Sequence, residues 1–240
     1  MTPVLYGVGV GPGDPELVTV QAVRVLREAD VVVVPVTDTG EEGRAERIVR
    51  AHVDRAVRRL VFAMSDESAR EGAWDAAGAS VAAAYDDGAA TVAFATIGDP
   101  NVYSTFTYLA DTVRAHRPDV DVRTVPGITA MQALAATSGT VLVEGRQSLA
   151  LLPMTAGVDA LRDALAVHET VVAYKGGRML PEILAAVRDA GRLDDCVYGA
   201  ALGLPGEDVR AATDLDAPGR APYLSTVLVT SPRGARGSWL

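Results

Sequence analysis

The 240-residue chain has a single cysteine, Cys196, and a single lysine, Lys175. One thiol closes no internal disulfide and builds no cysteine cluster for zinc, so Cys196 is expected as a small buried residue at the start of a strand. The three histidines, His52, His116 and His168, stand far apart in helical patterns, where ordinary packing is the simpler reading, and no metal site is predicted. Long apolar runs are missing too. Stretches such as residues 31–34 and 149–152 fall far short of the ~20 residues that cross a bilayer, so no membrane span is expected. Basic charge is in deficit: the formal net charge is −9, which argues against a nucleic-acid partner, because such binding needs a basic footprint to displace counterions. Met1 leads straight into Val4-Leu5-Tyr6 without the charged start, apolar core and small-residue cleavage site of a secretory signal, which gives the cytoplasm as the expected compartment. There is no tandem repeat, low-complexity tract or Ser/Gly-rich linker.

Apolar material is plentiful. With 49% hydrophobic residues, a chain of this length fills one large core or two smaller ones. Residues 4–10 read as a buried strand, and Asp14-Pro15-Glu16 as a helix start with Asp14 as N-cap and Pro15 at the first helical position. Leu17, Val20, Val23 and Leu26 give that helix an apolar stripe. Strand 31–36 follows. A second helix is predicted over about 41–57, where Ala45, Ile48, Val49, His52, Val53 and Val57 keep the helical period and Arg44, Arg47, Arg50, Arg55 and Arg58 line the other face. Then come helix 74–85, strand 91–97, helix 105–116, strand 120–125 and an Ala-rich helix stopping near Gly139. In the second half, residues 149–153, 170–174, 196–202 and 223–230 read as strands, with helices at 158–168 and 180–190. The pattern predicts an α/β protein of two αβα domains, residues 1–125 and 126–240.

Gly7-Val8-Gly9-Val10-Gly11-Pro12-Gly13 lies between a strand and a helix, where a dinucleotide fingerprint would stand, but the spacing fails. Starting G-x-G-x-x-G at Gly7 needs glycine where Pro12 stands, and starting it at Gly9 needs glycine where Asp14 stands. The second strand is Val31-Val32-Val33-Val34 followed by Pro35, without the acidic residue that holds a nicotinamide cofactor's ribose. No Lys-Ser or Lys-Thr follows to make a Walker A loop. Missing side chains at Gly9, Gly11 and Gly13 let backbone approach a ligand closely, and the same glycines equally suit a tight turn. The device recurs: Pro12-Gly13-Asp14-Pro15, Gly98-Asp99-Pro100 and Pro126-Gly127-Ile128-Thr129 each join a strand end to a helix start. In an open parallel sheet such ends share one edge, where ligands bind.

These three segments, in this order and spacing, resemble the N-terminal motifs of the tetrapyrrole (corrin/porphyrin) methylases, and the resemblance covers nearly the whole chain. Gly98-Asp99-Pro100-Asn101-Val102-Tyr103-Ser104-Thr105-Phe106-Thr107-Tyr108-Leu109 is similar to the precorrin-2 C(20)-methyltransferases of cobalamin biosynthesis. Phe62-Ala63-Met64-Ser65-Asp66, Trp74 and Tyr223-Leu224-Ser225-Thr226 agree with it. The resemblance implies two αβα domains, S-adenosylmethionine as methyl donor in the cleft between them, and a homodimer. It also implies donor contacts by Pro12, Gly98, Asp99, Val102, Tyr103, Thr129 and Ala130, and by Lys175 and Leu202 in the second domain, where Lys175 replaces the methionine common in uroporphyrinogen methylases. Gly11, Asp14, Asp66 and Arg146 fall on the expected substrate side.

Methyl transfer needs positioning more than a catalytic triad, but a base must accept a proton if the ring is to be neutralised. Asp14 and Tyr103 are the candidates, with Asp66 a third, although Asp14 also reads as a helix cap and Tyr103 as a packing residue. Asp99 is placed to cap a helix beginning at Pro100. A precorrin's carboxylates call for local cations, and the arginines between Arg44 and Arg59, together with Arg146, are candidates beside the plainer reading of a solvated helix face. The acceptor alternatives are cobalt-factor II, uroporphyrinogen III or a later precorrin. A tetrapyrrole- or donor-binding module without turnover is the non-enzymatic alternative.

Overall fold

The computed structural model describes residues 2–37, 40, 42–62, 67–215, 219 and 221–232. The chain divides into two compact units, Met1–Thr129 and Ala130–Leu240. The sequence pattern placed the division after Val125. Residues 126–129 go with the first unit because the Gly127 N–H donates to the Asp99 carboxylate.

In the first unit β1 (Val4–Gly9), β2 (Val31–Val36), β3 (Val57–Val61), β4 (Thr91–Thr96) and β5 (Asp121–Val125) form one sheet in the order β3-β2-β4-β1-β5. Every neighbouring pair is parallel. Helices α1 (Val20–Glu28), α2 (Arg44–Arg50), α3 (Glu67–Asp86) and α4 (Phe106–His116) complete it. Alternate residues of the strands point to opposite faces. Val8, Val32 and Val34 pack with Leu26 of α1 and Ile48 of α2, while Leu5, Val33 and Phe94 pack with Val81 of α3 and Leu109 of α4. A sheet covered on both faces needs strands apolar throughout, which is why β2 reads Val-Val-Val-Val-Pro-Val.

The second unit has α5 (Ala130–Ser138), β6 (Leu149–Pro153), α6 (Val158–Val167), β7 (Thr170–Tyr174), α7 (Leu180–Asp189), β8 (Cys196–Ala200), β9 (Asp208–Ala211) and β10 (Ser225–Val229). Its sheet order is β6-β7-β10-β8-β9, with β6 and β7 parallel and β10 antiparallel to both its neighbours. Leu161, Leu165, Ile183 and Val187 of α6 and α7 pack on Val171, Ala173, Tyr198 and Val227. Leu134 of α5 lies against Gly199, which faces the other way along β8. Arg192, 9% exposed, is fixed by hydrogen bonds to the carbonyls of Leu165, His168 and Glu169 at the end of α6. Cys196 is buried at the start of β8, and burial pushes its thiol up to about 12.

Three local expectations change. The helix expected from Pro15 is a 3-10 turn, Pro15–Leu17, capped by Asp14, and α1 starts separately because Thr19 Oγ1 accepts from the Ala22 N–H. The helix expected to run to Val57 ends at Arg50, and Val57 opens β3. Its apolar spacing continues past the helix end through residues that bury by tertiary contact: Val53 is 6% exposed. Strand β9, without a strong apolar alternation, was not expected.

Candidate functional site

In a parallel sheet the strands' C-terminal ends share an edge, and β4, β1 and β5 are neighbours. Their outgoing loops, residues 10–19, 97–105 and 126–129, therefore emerge side by side. They touch backbone to backbone. The Gly98 N–H donates to the Gly11 carbonyl at 2.8 Å. A Cβ on Gly9 would stand 2.6 Å from both the Gly127 nitrogen and the Gly98 carbonyl oxygen, and a Cβ on Gly127 would stand 2.0 Å from that oxygen. Gly9 is thus glycine so that loops can meet each other. The ligand approach expected there from the sequence is corrected, since a neighbouring loop fills the space.

Gly98 behaves differently. Its φ is +71°, and the nearest atom to an added Cβ would be the Thr129 Cα at 4.0 Å. Conformation demands glycine here, and the bare backbone lies beside open space. Gly11 also takes a positive φ, Pro12 and Thr129 are buried, and Ala130 opens α5.

Asp99 braces these loops. Its Oδ1 accepts from the Asn101 N–H at 2.8 Å and its Oδ2 from the Gly127 N–H at 3.0 Å. No helix begins at Pro100 for it to cap: the segment turns, with the Val102 N–H donating to the Asp99 carbonyl at 3.2 Å, and α4 begins at Phe106. The start of α4 is held by Ser104, whose Oγ accepts from the Phe106 N–H at 3.1 Å and lies 3.0 Å from Thr96 Oγ1. This contact of Ser104 was missed, although a serine two residues before an apolar helical run is a usable signal. Between these fixed points Tyr103 takes φ +50° and is 39% exposed as a residue, and burial raises its phenol pKa above the ordinary value. Asp14 Oδ1 accepts from the Glu16 N–H at 2.9 Å, so one carboxylate oxygen of this candidate base serves as a cap.

In the second unit Lys175 follows β7 with φ +59°, half-buried, and burial lowers its ammonium pKa. Leu202 is buried just beyond β8. These two strands run parallel within their sheet, so both residues occupy one edge. The Met131 N–H at the start of α5 donates to Tyr174 Oη at 3.2 Å, which fixes the helix against the end of β7. Arg146 is exposed and precedes β6, whose start pairs with the start of β7 at Leu149 and Thr170. It therefore lies toward the opposite edge from Lys175 and Leu202 and is not brought together with them. Asp66, with Ala63, Met64 and Ser65, lies outside the described residues.

The arginines expected as a cationic rim are largely engaged within the first unit. Arg50 and Arg59 bind Glu46, which is 0% exposed, at 2.6 and 2.7 Å. Arg55 donates to the Ala29 carbonyl and Arg58 to that of Ser80. A further pair not anticipated is the stack of Trp74 on Tyr108, with centroids 4.3 Å apart. Among the described residues no cluster of three His, Cys, Asp or Glu could hold a metal ion, and no helix is long and apolar enough to cross a membrane.

Residues 4–217 match the family model of tetrapyrrole (corrin/porphyrin) methylases. The chain is 36% identical to the precorrin-2 C(20)-methyltransferase of Sinorhizobium sp, with 94% of each chain covered. It is 33% identical to the cobalt-precorrin-2 C(20)-methyltransferase of Salmonella typhimurium, covering 94% of this chain and 95% of that one. Its fold is shared with the uroporphyrin-III C-methyl transferase of Thermus thermophilus, crystallised in complex with S-adenyl homocysteine. That likeness has a TM-score of 0.66 and 22% identity, and covers 94% of this chain and 96% of the other.

Proposed function

Because the chain belongs to the tetrapyrrole (corrin/porphyrin) methylase family, we propose that it transfers a methyl group from S-adenosylmethionine to carbon 20 of precorrin-2 in cobalamin biosynthesis. The 36% identity to a precorrin-2 C(20)-methyltransferase along 94% of both chains carries this reading. The 33% identity to a cobalt-precorrin-2 enzyme supports a second one, the same transfer to the cobalt-containing acceptor. Homodimeric assembly and a cytoplasmic location are proposed from the family resemblance alone.

The residues present fit a methyl donor. The bare backbone at Gly98, beside open space and next to the buried Thr129, is a cradle that any side chain would occupy. Pro12, Gly98, Asp99, Val102, Tyr103 and Thr129 on the first unit, and Ala130, Lys175 and Leu202 on the second, are the proposed donor contacts. When bound, the donor supplies an electrophilic methyl group on its sulfonium. The chain's own task is to hold an electron-rich ring carbon in line with it and to keep water away. Gly98 supplies the close approach, and Asp99 holds the loop that carries it. Tyr103 is one proposed proton-handling group, from its place on the loop that carries Gly98. Asp14 is the second candidate through its other carboxylate oxygen. Gly11, Asp14, Asp66 and Arg146 stay proposed substrate contacts.

The test is incubation of purified protein with labelled donor and, separately, precorrin-2, cobalt-factor II and uroporphyrinogen III. Label is expected in precorrin-2, and label found only in uroporphyrinogen III would overturn the assignment. Tyr103→Phe should lower turnover by more than it weakens donor binding. Donor binding without labelling of any acceptor would favour a binding module.

A further inference from the structure

The 3-10 turn after β1 is hydrogen-bonded mostly to itself. Asp14 Oδ1 accepts from the Glu16 N–H at 2.9 Å, the Asp14 carbonyl from the Leu17 N–H at 3.0 Å and the Pro15 carbonyl from the Val18 N–H at 3.4 Å. Among the described residues, two side-chain hydrogen bonds tie residues 14–19 to other elements. Thr19 Oγ1 donates to the Pro126 carbonyl at 3.5 Å, a long contact, while the His52 ring places Nε2 2.8 Å from the Pro15 carbonyl. A carbonyl oxygen only accepts, so Nε2 carries the hydrogen. The short tie therefore comes from a residue 37 positions away.

His52 is itself held. It follows α2 in a turn closed by its N–H on the Val49 carbonyl at 2.9 Å, with Val49 and Val53 buried on either side in sequence. Its carbonyl accepts from Arg27 Nε of α1 at 3.0 Å. A donor fixed in this way sets the position of its acceptor. Proline locks its own φ, so a bond at the Pro15 carbonyl restrains the remaining torsion, ψ, and with it the direction of the turn. That turn folds back over Gly11, where a Cβ would stand 2.9 Å from the Leu17 carbonyl oxygen. The contacts thus run from His52 to Pro15, to Leu17 and to the backbone of Gly11, and they take in Asp14, which caps the same turn. Gly11 and Asp14 are proposed acceptor contacts, whereas the donor's cradle at Gly98 has a separate brace in Asp99.

We propose that His52 is a positioning residue for methyl transfer: through the Pro15 carbonyl it keeps the turn of residues 14–17 seated over Gly11, and so fixes the backbone that the acceptor ring meets. It acts through the turn and not by contact with either ligand. Displacement of a positioned group by a fraction of an ångström is enough to slow a reaction that depends on alignment. This rests on the reading of the chain as a methylase of precorrin-2 or its cobalt counterpart.

The experiment compares wild type with His52→Leu, which has no donor, and His52→Gln, whose amide N–H2 can reach the same carbonyl. Four quantities are read: kcat/KM for the labelled acceptor, S-adenosylhomocysteine affinity by calorimetry, hydrogen exchange of the Glu16, Leu17 and Val18 amides in the ligand-free protein, and Tm. His52→Leu should speed that exchange roughly tenfold and lower kcat/KM roughly ten- to hundredfold, while S-adenosylhomocysteine affinity changes by less than about threefold. His52→Gln should recover most of both losses. If His52→Leu does not fold, His52→Asn, whose shorter amide falls short of the carbonyl, takes its place. A kcat/KM within about twofold of wild type overturns the proposal, whether or not Tm falls, because the bond is then merely structural. Equal losses in the Leu and Gln variants overturn it as well, since packing and not the hydrogen bond would be responsible. Donor affinity falling as far as kcat/KM overturns the assignment to the acceptor side. A wild type that binds S-adenosylhomocysteine but labels neither acceptor sinks the reading of function, and the exchange data then decide on His52: unchanged exchange in His52→Leu overturns its hold on the turn, and faster exchange reversed in His52→Gln supports it.

Discussion

The Asp99 carboxylate accepts the Gly127 N–H at 3.0 Å across two loops and the Asn101 N–H at 2.8 Å within its own. Both oxygens are engaged, so the residue acts on a ligand chiefly by shaping the backbone around Gly98. Asn in its place keeps one acceptor oxygen and turns an NH2 group toward the other N–H. Asp99→Asn should lower stability by about 1.5–3 kcal/mol, the range for hydrogen bonds to a charged group, and weaken S-adenosylhomocysteine about tenfold. Denaturant unfolding and calorimetry measure the two effects. Weakened binding at unchanged stability would make Asp99 a ligand contact and not a brace.

Gly98→Ala separates conformation from contact. An added Cβ has no neighbour nearer than 4.0 Å, so there is no clash, and the cost arises from holding alanine at φ +71°. Stability should fall by about 1–2 kcal/mol. Donor affinity should fall further than that, because the methyl group stands in the proposed cradle. A variant that binds S-adenosylhomocysteine like wild type would show that the cradle is elsewhere.

The sequence located β6 and β7 to the residue because short apolar runs bounded by turns leave little choice of register. The three loops at one edge were legible as well, since Gly and Pro at strand ends punctuate the chain directly. The division of labour among the glycines was not. Only the packing shows Gly9 serving the Gly127 loop while Gly98 faces open space. The end of α2 was hidden because Val53 and Val57 keep the helical period beyond it while burying in a turn and an edge strand. Strand β3 carries Arg58 and Arg59 as an edge strand can, and Arg59 finds its partner in Glu46, thirteen residues earlier on α2. Tyr103-Ser104-Thr105 gains part of a physical account. The Ser104 hydroxyl accepts from the Phe106 N–H at the start of α4, and this fixes the turn next to Tyr103.

Glu46 is wholly buried, and its two oxygens hold Arg50 and Arg59. Burial pushes the carboxyl pKa upward, but the hydrogen bonds from Arg59 and then Arg50 outweigh it and hold the group below its ordinary value. Glu46→Gln removes the charge, keeps the shape and leaves two guanidinium groups beside a neutral amide. The arginines are partly exposed and recover some hydration, so the loss should be about 2–3 kcal/mol, below the full cost of breaking a wholly buried pair. Chemical denaturation measures it. A change under about 0.5 kcal/mol, the range of ordinary surface substitutions, would show that the triad contributes nothing net.

Glu169, in the second unit, sets a pH dependence of stability. Ser148 donates to its Oε2 twice, from Oγ at 2.6 Å and from the backbone N–H at 2.8 Å, and these bonds hold the carboxyl down to about 2 from an ordinary 4.5. The folded state thus favours the ionised form more than the unfolded chain does. The resulting stability is fully present above about 4.5 and is lost as pH falls from there toward about 2. Glu169→Gln lacks this titration, so its unfolding free energy should lie below that of wild type at neutral pH and fall less steeply through the same acid window. Denaturant midpoints at several pH values between these limits test it. Parallel profiles for the two proteins would mean that the Ser148 bonds do not favour the ionised carboxylate.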